Sequence, residues 1–275
     1  MVQSALPGPG PRRAALVTGA SAGIGESFAK VLAARGTDLV LVARRQERLD
    51  ALARTLGQQH GVKVTVMPAD LADPGASVRI CHDLHGAGVE IDILVNNAGY
   101  AVPGSYRSTE WATHAAFLQV MVIAYADLTH RLLPAMIERR WGRIINVASL
   151  AGLAPGMAGQ TLYAASKAFL IKFSQSLAME VERFGVHVHA LCPGYTHTEF
   201  HDVMGVRRLV DRIPGLFWLD ADTVAREGLD AVERGRVVHV PGAANRSLAH
   251  LMRLLPDSLV FALARRFAAR TRQTS

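Results

Sequence analysis

Tyr163 and Lys167 stand four residues apart in a stretch, Thr161 to Phe184, whose apolar spacing is helical, so their side chains share one helix face. A tyrosine hydroxyl ordinarily titrates near 10. A neighbouring ammonium favours the phenolate and lowers that value. A phenol so tuned can give a proton to a carbonyl oxygen or take one from an alcohol. Ser149 ends an apolar run 14 residues earlier and can hydrogen-bond the same oxygen, holding it in place. Tyr-x-x-x-Lys alone recurs by chance in many helices and reads equally well as a surface pair, so its meaning depends on what surrounds it.

A second cluster lies near the start. Leu16-Val17-Thr18 ends an apolar run, and Gly19, Gly23 and Gly25 follow before an amphipathic stretch. Glycine permits a tight turn and lets the backbone approach a pyrophosphate. The helix beyond it offers free N–H groups and the positive end of its dipole. Between a strand and a helix this pattern points to a dinucleotide; a purely structural turn is the plainer alternative. The next apolar run ends Leu41-Val42-Ala43-Arg44-Arg45. An acidic residue there would bind the adenosine ribose hydroxyls, but Ala43 holds that place and Arg44 follows it. Arginine pairs with phosphate in two-point geometry, so the cofactor is expected to be NADP (NADPH) rather than NAD. A basic residue at a helix start is opposed by the dipole, which makes a merely solvated Arg44–Arg45 pair less comfortable.

These residues need elements to position them. Apolar runs rich in Val and Ile recur at Ala14–Val17, Leu39–Val42, Val62–Met67, Ile91–Val95, Arg143–Val147, Val186–Leu191 and Arg236–Val240. Such runs, without strict alternation, suit strands covered on both faces. Between them Ser21–Arg35, Gln46–Gln59, Pro74–Gly86, Thr109–Arg140, Thr161–Phe184 and Ala221–Arg234 carry helical stripes. The alternation predicts an α/β fold: one doubly wound parallel sheet of about seven strands with helices on both faces. It divides the chain into a flexible start (1–12), one domain (13–243) and a basic amphipathic helical tail (244–275).

Composition narrows the function. Of 275 residues half are hydrophobic and 19% charged, enough for a sizeable core and incompatible with wholesale disorder. Two cysteines, Cys81 and Cys192, make neither a disulfide framework nor a zinc module, which favours a cytoplasmic setting. The net charge is +7, but residues 245–275 alone hold six Arg against one Asp. A nucleic-acid binder would spread a basic stripe over its folded domain, so nucleic acid is not an expected partner. The uncharged stretch 144–166 is long enough to span a bilayer, yet its Asn146, Pro155 and glycines suit a strand, a loop and a helix start. The first residues lack the order of a signal peptide.

Taken together, Thr18-Gly19-Ala20-Ser21-Ala22-Gly23-Ile24-Gly25, Asn96-Asn97-Ala98-Gly99, Ser149, Tyr163-Ala164-Ala165-Ser166-Lys167 and Pro193-Gly194 resemble the short-chain dehydrogenase/reductase family, in order and spacing, over about 18 to 198. The resemblance implies a Rossmann-type fold and a carbonyl reductase or alcohol dehydrogenase activity with Ser149, Tyr163 and Lys167 catalytic. It implies that Gly19, Ser21, Ala22, Gly23, Ile24 and Gly25 line the cofactor phosphates and that Asp70, with Leu71, meets the adenine. Asn96 and Ala98 would flank the ribose and stabilise the sheet, and Asn97 and Gly99 beside them would also border the cofactor. Lys167 would also hold the nicotinamide ribose. Pro193, Gly194, Thr196 and Thr198 would border the nicotinamide. Relatives commonly pair their long helices across a homodimer or homotetramer interface.

One position departs from the family. Met121 stands where an Asn usually supports a water chain to the lysine, which puts proton-relay efficiency in doubt and motivates the alternative of a catalytically weak NADP-binding scaffold or sensor. The segment 199–218 is rich in apolar residues and is expected to form a lid over a lipophilic carbonyl or alcohol substrate. His197 and His201 are four apart, but Thr198 stands where the zinc-protease pattern needs Glu, so no metal is expected. His187 and His189 lie on one strand face and are expected to pack against neighbours, and Cys192 is expected to be buried rather than nucleophilic. In the tail, Pro256 should divide two short helices, whose apolar side either packs on the protein or lies in a membrane interface as a peripheral contact. From the second strand, Arg44→Asp is expected to shift cofactor preference from NADPH toward NADH in a binding titration; tighter NADH than NADPH binding by the unmodified protein would refute this reading.

Overall fold

In a computed structural model, which describes residues 12–102, 104–156, 159, 161–199, 213–255, 261, 262 and 265, the chain alternates strand and helix. The strands are β1 (Ala14–Thr18), β2 (Asp38–Ala43), β3 (Val64–Pro68), β4 (Ile93–Asn96), β5 (Gly142–Val147), β6 (Val186–Leu191), β7 (Tyr195–His197), β8 (Trp218–Asp220) and β9 (Val238–His239). The helices are α1 (Gly23–Ala34), α2 (Gln46–His60), α3 (Ala76–Gly86), α4 (Trp111–Leu118), α5 (Ala124–Glu138), α6 (Thr161–Val181), α7 (Ala221–Glu233) and α8 (Ala243–Leu254).

Seven strands form one parallel sheet in the order β3-β2-β1-β4-β5-β6-β9. The order reverses beside β1, which opens a crevice at the carboxyl ends of β1 and β4, where open α/β sheets bind ligands. Successive residues of a strand face opposite sides. On β1, Ala15 and Val17 join Phe28, Leu32, Leu49 and Val224 under α1, α2 and α7. Leu16 joins Ile80, Leu128, Met136 and Val181 under α3, α5 and α6. Both faces are therefore packed, as the uninterrupted Val/Ile runs require.

The element boundaries depart from the sequence expectation in three places. The stretch Thr109–Arg140 is not one helix: a π-helical turn, Gln119–Ile123, separates α4 from α5. The run Trp111–Glu138 is long and apolar enough to cross a membrane. Met121, Tyr125, Leu128 and Met136 are nevertheless fully buried among core residues. The second difference is a two-stranded parallel ribbon, β7 with β8, each strand only three residues long and thus without a detectable period. The third is at the sheet edges, where β3 begins at Val64 and β9 shrinks to two residues.

The expected tail helix is present as α8, and it packs on the protein. Asn245 and Ala249 are buried; Asn245 Nδ2 donates to the Phe217 carbonyl (3.2 Å), and Arg246 donates to Glu227 on α7 (3.0 Å). Leu255 is extended, as a residue before proline must be; Pro256 itself lies outside the described residues, as does most of the chain after it. Truncation after Ala244 removes the two buried side chains and uncovers Val240, and is expected to cost about 2 kcal/mol. The thermal midpoint should fall by about 4–8 °C; an unchanged midpoint would show that α8 adds nothing to the fold.

Candidate active site

The site is assembled at the carboxyl edge of the sheet. β5 runs out at Val147, and Ser149, in extended backbone, caps a 3₁₀ turn (Leu150–Gly152) by accepting from the Ala151 N–H (3.1 Å). That turn lies directly on α6: a Cβ at Gly152 would come within 2.6 Å of the Lys167 carbonyl carbon, so only glycine fits. The packing brings Ser149 to Tyr163, in the first turn of α6, and the two share a hydrogen bond. Lys167, one turn on, is 4% exposed, and its Nζ donates to the Val147 carbonyl (2.7 Å). The same ammonium stands 5.7 Å from the Tyr163 ring centre and 5.9 Å from that of Tyr125. The three residues singled out from the sequence therefore meet.

Electrostatics modify one expectation. Burial disfavours the charged form of both groups. It brings the Lys167 ammonium down to about 7 and pushes the Tyr163 phenol up, with the Ser149 hydrogen bond pulling it back. The expected lowering of Tyr163 by a full lysine charge is thus not met.

Around this centre the Gly-rich loop takes its expected place, each glycine for a different reason. Gly19 has φ +66°, and a Cβ there would lie 2.8 Å from the Ala98 Cα. Gly23 has φ +59° and faces the Thr198 methyl, while a Cβ at Gly25 would strike the Asn97 amide. Thr18 Oγ1 accepts from the N–H groups of Asn97 and Ala98 (2.9 and 3.0 Å). Asn97 Nδ2 donates to the Thr18 carbonyl (3.0 Å). Asn97 thereby clamps the two loops together, leaving Ala98 and Gly99 to form the surface beside the crevice. α1 begins after Ala22 with no side-chain cap, so its first N–H groups are available to an anion. Ile24 is half-buried behind them.

At the adenosine end, Arg44 reaches toward Asp70 (3.9 Å), and Asp70 also accepts from the Ala72 N–H (3.0 Å). Leu71 is buried and belongs to the core. Arg45, which the sequence alone left as a plain helix-start cation, donates through Nε to Ser21 Oγ (3.2 Å). At the other end the Pro193 carbonyl accepts from Leu150 N–H (2.8 Å). Gly194 is pressed against Asn245, so no Cβ fits. Thr196 turns its hydroxyl to the Gly194 carbonyl (3.3 Å), and Thr198 stands against Gly23. A loop that a Cβ would fill, an uncapped helix start and flanking arginines form a cradle that fits a dinucleotide phosphate.

Several signals resolve as packing. Asn96 donates to Asn146 Oδ1 (2.9 Å) and Thr129 Oγ1 (3.2 Å), and Asn146 to Ser174 Oγ (2.9 Å), tying β4, β5, α5 and α6 together. Met121 is fully buried with its sulfur against Gly99. Tyr125, one turn later, donates its hydroxyl to the Ala98 carbonyl (3.0 Å), a contact no sequence signal announced. His187 and His189 engage the carbonyls of Val232 and Arg236 (2.9 and 2.6 Å), and Cys192 is buried, as expected. His197 stacks on Trp218, and His201 lies outside the described residues. So does most of the anticipated lid, whose described ends are Glu199 and 213–218.

Next to Tyr163 opens a small cleft of about 30 Å³. Ala101, Val102, Phe117 and Leu162 line it with Thr161, Tyr106 and His114, and no Lys, Arg, Asp or Glu is among its described lining residues.

Residues 13–205 match the family model for short chain dehydrogenases. Nodulation protein G of Rhizobium sp. strain N33 is 41% identical over 194 residues, 69% of this chain and 76% of that protein. The very-long-chain 3-oxoacyl-CoA reductase of Anas platyrhynchos is 36% identical over 201 residues, 71% of this chain and 64% of the reductase. Among solved structures, a short-chain dehydrogenase from Sphingobium yanoikuyae in complex with NADPH superposes with a TM-score of 0.77 at 32% identity, covering 89% of this chain and 96% of that one.

The buried ammonium has a stability signature. Lys167 titrates near 7 when folded, and an unfolded lysine near 10.4. Between those values the unfolded chain binds more protons, so stability rises with pH. Lys167→Met should abolish that rise. Its unfolding midpoint is expected to equal or exceed that of the unmodified protein at about pH 7, with the unmodified protein gaining on it by about pH 9; parallel midpoints across this range would contradict the burial argument.

Proposed function

The chain belongs to the short-chain dehydrogenase family, and from that premise we propose that it is an NADP(H)-dependent oxidoreductase interconverting a carbonyl and an alcohol on a lipophilic substrate. The observation that carries this is the hydrogen-bonded Ser149–Tyr163 pair at the wall of an uncharged cleft. The NADPH complex of the Sphingobium relative, the Arg45 guanidinium on Ser21 and the exposed Arg44 near Asp70 support the cofactor assignment. Bound in the cradle, the nicotinamide supplies or accepts the hydride.

The remaining chemistry belongs to the protein. Ser149 donates a hydrogen bond to the substrate oxygen and orients it. Tyr163 gives its proton to that oxygen as negative charge develops there during reduction, or takes it back during oxidation. Lys167 lies too deep to meet solvent directly. Its ammonium would hold the ribose hydroxyls, and it returns a proton to Tyr163 after reduction or takes one from it during oxidation. Burial, which brings the ammonium down to about 7, suits this role, because a group that titrates near working pH both donates and accepts. The cleft sets the substrate class. With no charged side chain described in its lining, it favours a neutral, apolar group next to the carbonyl, in keeping with an acyl-chain reductase among the relatives.

Met121 leaves this arrangement standing. Its side chain cannot hydrogen-bond water, but Ser149, Tyr163 and Lys167 converge without it, which favours an enzyme over an inert cofactor-binding scaffold. Ile123, Phe169 and Met179 expose apolar surface on the outer sides of the long helices. They support pairing of those helices in a homodimer or homotetramer.

Tyr163→Phe removes only the acidic hydroxyl. With neutral ketones or 3-oxoacyl thioesters as oxidants of NADPH, turnover is expected to fall about 100-fold or more, while NADPH affinity measured by fluorescence stays within about twofold. Turnover like that of the unmodified protein would place the proton donor elsewhere.

A further inference from the structure

Beside the Gly-rich loop, one carboxylate gathers two guanidinium groups. Glu199 accepts from Arg48 NH1 on both oxygens (2.8 and 3.0 Å) and from Arg45 NH1 (3.1 Å). Arg45 donates its Nε to Ser21 Oγ (3.2 Å). The partners come from opposite sides of the crevice. Arg45 caps α2 and Arg48 lies in its first turn. Glu199 follows β7 and the Thr198 that rests on Gly23. The bridge thus crosses the uncapped start of α1. Two arginines around one anion are a donor set by which proteins hold phosphate. Here the anion is the protein's own.

Resting on the NADP(H) assignment above, we propose that Glu199 is a specificity-determining residue that competes with the 2′-phosphate of the cofactor for Arg45. Ser21 and Arg45 touch, and Arg44, the preceding residue, reaches toward Asp70 with its side chain 72% exposed. A 2′-phosphate seated at Ser21 meets Arg45 already engaged by Glu199. The phosphate carries nearly two charges to the carboxylate's one, so it draws Arg45 away and Glu199 retains Arg48. A dinucleotide without the 2′-phosphate leaves the Glu199–Arg45 pair undisturbed. Glu199 therefore lowers affinity for the phosphorylated cofactor selectively. It also links the adenosine end of the crevice to the β7 segment at the nicotinamide end, because the exchange frees one of the two ties that hold Glu199.

Calorimetric binding of 2′,5′-ADP and 5′-ADP to the full chain tests this without the nicotinamide or turnover. For Glu199→Gln, 2′,5′-ADP is expected to bind about three- to fivefold tighter, the scale of an exposed charge pair, with 5′-ADP unchanged. In an Arg45→Met background, Glu199→Gln should give no gain. Unchanged or weaker 2′,5′-ADP binding by Glu199→Gln, or a gain that persists without Arg45, would overturn the competition. Failure of the unmodified protein to prefer 2′,5′-ADP over 5′-ADP would instead overturn the NADP(H) assignment, and the competition with it.

Discussion

An ammonium buried against a single backbone carbonyl is the constraint around which the site is built. Removing a charge from water is costly unless partners replace the water, and Lys167 has the Val147 carbonyl and the faces of two tyrosines. To offer that carbonyl, β5 must end at a fixed height beside α6. The Asn96–Asn146–Ser174 chain sets that height by bonding the strand ends to α5 and α6. Gly152 then lets the turn after β5 touch the α6 backbone, which carries Ser149 to Tyr163. A chain optimised for stability alone would place an apolar residue at 167. That the lysine is there, near its neutral point, is the mark of a functional site tolerated at the expense of the fold.

The crevice is divided by charge. One end holds Arg44, Arg45 and Arg48 with Asp70 and Glu199; the other opens on an apolar cleft without a described charged lining residue. A molecule with a phosphorylated adenosine at one end and its reactive ring at the other matches this polarity. Near the site three arginines face two carboxylates, and most of the basic surplus of the sequence lies in residues 245–275.

Much of this was legible in the sequence because its signals are local. Strands covered on both faces read as Val/Ile runs, and the ends of each of the seven fell within two residues of their place. The glycines marked true close approaches, and Ser149, Tyr163 and Lys167 met as their motif implied. What escaped depends on contacts between distant segments. The π turn at Gln119–Ile123 keeps a helical apolar pattern and is invisible to periodicity. The β7–β8 ribbon is too short to show one. The Tyr125–Ala98 and Glu199–Arg45 bonds join residues 27 and 154 positions apart. The effect of burial on Tyr163 was also out of reach, since spacing can place a lysine near a tyrosine without revealing that both are desolvated.

The chain contains four lysines, Lys30, Lys63, Lys167 and Lys172, so the central claim can be tested residue by residue. Proton–carbon NMR of the full-length protein carrying ¹³C-labelled lysine side chains follows each Cε through a pH titration. The account predicts one resonance, absent from Lys167→Met, that titrates near 7 in the cofactor-free protein. Titration of the Lys167 resonance only in the alkaline range would contradict it, and would mean that the ammonium is solvated and the site is not built around a buried charge.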